Sequence, residues 1–344
     1  MRTSEKISNT VVICFAFIMS MFGTVSSYNK FDNINNHIES SATAELALPS
    51  ANTVSDFDKK PDTDTSPQPE QTSSSENEST AEIPFENTYL VTETTYRESN
   101  MKYNNFYVKN STDLSLDLRG FLNAELPFEY EQTSQPQVLI VHTHSTEAYM
   151  DSDLGYYYES YDPSSTDDNK NIIRVGEAIV ESLKNNGITA IHCTTHHDEP
   201  SYLGAYDNSA ESIKEYLAQY PSIKIVLDIH RDSITTDENE KIKPTFVYNN
   251  KKAAQIMIMC GNDNYGYYDF PDWRQNMSLA VKLQATAESY YPEMTRPLYF
   301  GNFMYNMNLA PGSLLIEIGT DANTLDEAIY SAELLGNVIA HTLK

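Results

Sequence analysis

The stretch VLIVHTHSTEAY, residues 138–149, decides how the rest of the chain is read. Four apolar residues run without a break and then give way at once to His142, Thr143, His144, Ser145, Thr146 and Glu147. An uninterrupted apolar run fits a strand buried on both faces, as in a parallel sheet covered by helices. Four other runs share the pattern: ITAIHC (188–193), KIVLDIH (224–230), QIMIMC (255–260) and SLLIEIG (313–319). Helical periodicity falls between them at 173–186, 209–220 and 273–290, and again from a cap near Asn323 to about His341. Strands alternating with helices predict an α/β fold, with a mostly parallel sheet and helices on both faces.

In such sheets ligands bind beyond the carboxyl ends of the strands, and this chain carries its reactive side chains there. The run at 138 leads into His142, His144 and Glu147. The run at 224 ends in Asp228, His230, Arg231 and Asp232, and the last run holds Glu317. Residues two apart in a strand share a face at a spacing of roughly 6.5–7 Å. His142 and His144 are therefore expected to aim at one point, and so are Asp228 and His230. Two histidines and a carboxylate with an open fourth position make a catalytic zinc set. The metal brings the pKa of its bound water to about 7, and a separate carboxylate acts as general base. Glu317, between Ile316 and Ile318, is costly to bury without a function or partner and suits that base.

Each residue has a plainer alternative. A histidine can cap a carbonyl, Asp228 can simply orient His230, Arg231 can pair with Asp232, and Glu317 can be a salt-bridged core acid. His192, His196 and His197 in IHCTTHHDEP (191–200) read as solvated loop histidines, with Asp198 steadying the site edge. Ser145 lies beside two histidines but lacks a G-x-S-x-G elbow, and adjacent residues in a strand face opposite ways. That disfavours a serine hydrolase.

Composition bounds the remainder. The chain has 344 residues, 49 acidic and 23 basic, for a net charge of −26. Nucleic acid is excluded as a partner because Lys and Arg are too few to neutralise phosphates, and adhesion to anionic lipid is disfavoured likewise. Three cysteines, Cys14, Cys193 and Cys260, make neither a disulfide framework nor a Cys-based zinc site. Residues 1–29 contain an apolar run from Val11 to Val25, which suits a signal peptide or a membrane anchor. Either way the rest is expected to be exported. Residues 30–85, rich in Ser, Thr, Pro and acids, read as a disordered linker. Residues 86–135 alternate as strands do and read as a small β-rich extension. Residues 136–344 hold the sheet and are expected to be the catalytic domain.

The segments VLIVHTHSTEAY, IVLDIHRDS (225–233) and GNFMYNMNLAPGSLLIEIGTDANTLDEA (301–328) resemble the diagnostic segments of the stage II sporulation protein P family. That family falls in the broad N-acetylmuramoyl-L-alanine amidase superfamily. The resemblance covers roughly Pro136 to Lys344. It implies a zinc-dependent peptidoglycan hydrolase that cleaves the N-acetylmuramoyl-L-alanine amide, with an endopeptidase activity on stem-peptide cross-links. The implied setting is extracytoplasmic, at the sporulation septum during septal thinning and engulfment, with membrane attachment through the N-terminal segment. Stage II sporulation proteins D and M are the implied partners.

Residue by residue, the family's HTHxxE segment falls on His142, His144 and Glu147, and its DIHRD segment on Asp228 to Asp232. The implied Zn2+ ligands are His142, His144, Glu147 and His230, and either His142 or His144 can be the first. Glu147 is the third because residues 167–171 offer no glutamate. Glu317 becomes the catalytic acid–base, Arg231 a holder of a substrate carboxylate, and Asn302 to Asn308 the edge of a glycan groove. Two other readings stand beside this one: a non-catalytic wall-binding scaffold, and a zinc peptidase or deacetylase on another wall bond.

Overall fold

A computed structural model of the chain describes residues 87–131 and 133–344. The expected signal or anchor at 1–29 and linker at 30–85 lie outside the described residues. Among the described residues no helix is long and apolar enough to cross a membrane.

In chain order the elements are β1 (Thr88–Thr94), β2 (Met101–Tyr103), β3 (Phe106–Asn110), α1 (Leu118–Asn123), β4 (Val138–Val141), β5 (Tyr156–Tyr158), α2 (Ile172–Asn185), β6 (Ala190–His192) and α3 (Ala205–Gln219). There follow β7 (Ile225–Asp232), β8 (Lys241–Tyr248), β9 (Lys251–Ala254), β10 (Ile256–Gly261), α4 (Trp273–Tyr290), β11 (Leu298–Gly301), β12 (Gly312–Thr320) and α5 (Leu325–Leu343). Eight strands form one sheet in the order β2-β3-β11-β10-β12-β7-β4-β6. Its pairings are parallel except β10 with β12 and β2 with β3. A second sheet has the order β5-β1-β8-β9. Strands from 86–135 thus enter both sheets: β2 and β3 at one edge of the large sheet, β1 in the centre of the small one.

The sheet is covered on both sides, as continuous apolar strands require. Val138 and Ile140 of β4 and Leu227 and Ile229 of β7 share a core with Ile172, Ile179 and Leu183 of α2 and Leu335 and Val338 of α5. The alternate residues Leu139, Val141 and Val226 share the other core with Ile213 of α3. Helix α5 opens with a capping box in which the Thr324 and Glu327 side chains each accept from the other's backbone N–H, satisfying two orphan donors.

One strand ends sooner than its sequence suggests. The apolar-to-histidine run was expected to stay extended through His144, yet β4 stops at Val141. Asp228 captures the chain two residues on, accepting from Thr143 N at 2.8 Å and Thr143 Oγ1 at 2.6 Å, and this draws it out of the ladder.

Candidate active site

Alternation along β7 turns Asp228 and His230 to the side of the sheet that carries α3. Glu317 of β12 lies beside His230 in parallel register, on the same side. The chain leaving β4 brings His144 and Glu147 to the same place. The imidazoles of His144 and His230 meet edge to face with centroids 5.4 Å apart. Glu147 Oε2 lies 3.4 Å from His230 Nδ1 and accepts from Arg231 N at 2.9 Å. Asp228 Oδ1 is 3.0 Å from His230 Nε2, out of line for a hydrogen bond. Gly319, with φ +67°, turns the chain just after Glu317; a Cβ there would meet Asn323 Oδ1 at 2.6 Å.

His142 does not join this group. Continuing the alternation of Val138 and Ile140, its ring falls on the opposite side of the sheet, against α2. Its Nδ1 donates to Ile229 O at 2.9 Å, and its Nε2 lies 2.9 Å from His192 Nε2. A neutral imidazole that donates through Nδ1 accepts at Nε2, so His192 supplies that proton. Burial, then the neighbouring His192, push the His142 pKa down to about 3, which keeps the ring neutral. Gly176 of α2 makes room for the pair, since a Cβ there would sit 2.5 Å from His142 Nε2 and 2.6 Å from His192 Nε2. The expected convergence of His142 and His144 on one point therefore fails, because the ladder ends at Val141: His142 keeps the strand's alternation, whereas His144 is turned to the other side of the sheet.

Arg231 also differs from its expectation. It faces away from His230, with Nε donating to Ala148 O at 3.0 Å and an Nη to Pro163 O at 2.8 Å. It straps the 148–163 segment to β7 instead of facing a substrate carboxylate. Nor does it pair with Asp232, whose partner is Arg296 at 2.8 Å. His197 is buried, bonded through Nδ1 to His142 O and through Nε2 to Ser212 Oγ, so it is no solvated loop residue. Asp198 does steady the site edge: it accepts from Ser145 Oγ and from Thr146 N and Oγ1.

Two contributors were not visible in the sequence. Tyr202 stacks flat on His144, with centroids 4.0 Å apart and planes 3° from parallel. An aromatic residue in the loop EPSYLG just ahead of a helix was the only available signal. Arg296 lies in RPLYFG, more than sixty residues from its partner Asp232, and no spacing pointed to it.

The electrostatics favour positive charge. Burial works against a proton on His230, but Asp228 and Glu147 outweigh it and hold the pKa well above the ordinary value. Burial raises Asp228 as well, yet His230 and Thr143 bring its pKa to about 2. His144 is pushed down to about 4 by burial and by the charge on His230. Glu317 is pushed up to about 8, by burial first and Asp232 second. Burial and the carboxylate of Glu147 raise the Tyr202 phenol to about 12, so it stays neutral.

Among the described residues no three His, Cys, Asp or Glu side chains already surround a common ligating point. The residues nevertheless fit a divalent cation in kind. His144 Nδ1 and Glu317 Oε2 are buried with no hydrogen-bond partner. Two imidazoles and a carboxylate are a zinc donor set, and the acids around His230 already favour a cation.

A family model for stage II sporulation protein P matches residues 15–340. The chain belongs to the stage II sporulation protein P family. A curated relative, stage II sporulation protein P of Bacillus subtilis (strain 168), is 26% identical over 215 residues, which are 59% of this chain and 50% of the relative. The match thus spans about half the relative's length. Solved structures similar to the chain include an N-acetylmuramoyl-L-alanine amidase from Clostridium difficile 630, 15% identical, covering 61% of this chain and 96% of that one with a TM-score of 0.37. Another is the CwlD amidase from Clostridioides difficile in complex with the GerS lipoprotein, 13% identical, covering 60% and 96% with a TM-score of 0.36. Likeness at that level is too low to assign this chain an activity.

Proposed function

We propose that this family member is a zinc-dependent peptidoglycan hydrolase that cleaves the amide between N-acetylmuramic acid and L-alanine during septal thinning and engulfment. The observation that carries the reading is the grouping of His144 and Glu147, from the chain leaving β4, with His230 and Glu317 near the carboxyl ends of the neighbouring parallel strands β7 and β12, in a chain of this family. Zn2+ would be held by His144, His230 and Glu147, with His142 left out of the ligand set. When bound it would supply Lewis-acid polarisation of the amide carbonyl and a water acidic at neutral pH.

The protein's own groups do the rest. Glu317 accepts a proton at its unpartnered Oε2 and delivers it to the leaving amine, a task suited to a carboxylate whose pKa is raised toward neutrality. Asp228 turns the His230 ring, and itself is fixed by Thr143. Arg231 holds the loop that carries Glu147 through Ala148 O. Action on stem-peptide cross-links, export with membrane attachment through residues 1–29, and work alongside stage II sporulation proteins D and M belong to the same reading.

The test is digestion of purified peptidoglycan followed by mass spectrometry of the products. New free N-terminal L-alanine is expected, and Glu317→Gln should slow its release by ~10²–10⁴-fold while retaining zinc. New amino termini only within stem peptides would mean an endopeptidase. Wall binding with no product would mean a scaffold.

A further inference from the structure

We propose that Tyr202 is the positioning residue for His144. The inference rests on the zinc reading above. A histidine that ligates a metal is usually aimed by a hydrogen bond from its other ring nitrogen to a carboxylate, carbonyl or water. His230 has a carboxylate beside each ring nitrogen, Glu147 at 3.4 Å from Nδ1 and Asp228 at 3.0 Å from Nε2, although its Nε2 makes no hydrogen bond. His144 has no such pair of carboxylates at its ring, and its buried Nδ1 has no hydrogen-bond partner.

What surrounds the His144 ring is aromatic. Tyr202 covers one face in a parallel stack at 4.0 Å, Tyr206 of α3 stands edge-on at 5.5 Å and 89°, and His230 stands edge-on at 5.4 Å and 79°. A flat stack fixes the plane of an imidazole, and the two perpendicular neighbours restrict rotation within that plane. The ring is thereby aimed by contact, with its nitrogens left free for a ligand.

The stack is not a by-product of core packing. Tyr202 is 53% exposed, so burial alone gives its ring no reason to lie flat on His144. Its loop is held ahead of it and behind it. Asp198 accepts from Ser145 and Thr146, within the segment that carries His144 itself. On the far side, Asn208 of α3 donates to His197 O at 2.8 Å. The loop is thus tied to the very segment whose histidine its tyrosine covers.

Zinc affinity of the full chain, measured by competition with a chromophoric chelator, tests this. Tyr202→Ala should weaken binding by ~10–100-fold, the cost of losing a histidine's orienting partner. Tyr202→Phe keeps the stack and should restore most of the affinity. The metal-free melting temperature of Tyr202→Ala should stay near that of the unaltered chain, because an exposed side chain contributes little to stability. Unchanged affinity in Tyr202→Ala would overturn the proposal. So would a loss in Tyr202→Phe equal to that in Tyr202→Ala, or a metal-free melting temperature that falls in step with affinity. Should His144→Ala and His230→Ala bind zinc as tightly as the unaltered chain, the zinc reading itself fails, whatever Tyr202 does.

Discussion

His142 and His144 are two residues apart and have opposite fates. His142 is sealed under α2 with both ring nitrogens engaged, whereas His144 stands beside His230 with a buried nitrogen free. Replacing each by alanine should therefore separate folding from metal binding. His142→Ala removes a buried ring, strips Ile229 O of its donor and leaves a cavity, at a cost on the order of 2 kcal/mol or more. Denaturant unfolding should show that loss while zinc stoichiometry by elemental analysis stays unchanged. His144→Ala should give the reverse, little change in metal-free stability and no bound zinc. Loss of zinc in His142→Ala with its fold intact would return it to the ligand set. The sequence could not make this distinction. What turns the chain after β4 is the capture of Thr143 by a carboxylate 85 positions away, and no local pattern announces a contact of that range.

At the scale of elements the apolar runs were informative because a strand covered on both faces has no polar side to interrupt it. β4, β6, β7, β10 and β12 all fall within the expected runs or one or two residues of them, and α4 spans the expected residues. The small sheet was harder to see. β8 and β9 carry Lys241, Lys243, Lys251 and Lys252, charges that obscure alternation, and the hairpin they form is extended into a sheet only by β1 and β5 from distant parts of the chain. Those lysines make the sheet acid-sensitive. Lys252 bridges Glu93 of β1 and Asp153. Burial raises Glu93, but Lys252 and Thr245 outweigh it and leave the pKa below its ordinary value of 4.5. Asp153 is lowered chiefly by its hydrogen bond from Lys243. Groups with depressed folded pKa values add stability above the unfolded pKa and lose it as pH falls through the folded one. Amide exchange in β1 and β8 should accordingly accelerate below about pH 4, and Lys252→Met should flatten that dependence. A different strain sits in β12. Gly319→Ala would force a side chain into φ +67° and against Asn323, for a loss of about 1–3 kcal/mol in unfolding free energy.

For the whole molecule the site acts as a clasp between segments distant in sequence. His144 and Glu147 lie in the segment after β4, His230 lies near the end of β7, and Glu317 sits on β12, so an ion held there ties the loop over the sheet to the middle of the sheet. A ligand that binds only the folded chain stabilises it by about 2.7 kcal/mol at a hundredfold excess over Kd. In a domain of this size that corresponds to a rise in melting temperature of roughly 5–10 °C. Differential scanning calorimetry should show that rise on adding zinc to metal-free protein and its reversal with a chelator. The rise should disappear in His144→Ala and His230→Ala, shrink in Glu147→Ala, and persist in His142→Ala from a lower starting point. The ordering follows from which side of the sheet each residue faces. An equal rise in all four variants would place the ion elsewhere, and no rise in the unaltered chain would leave the carboxylates around His230 serving its proton alone.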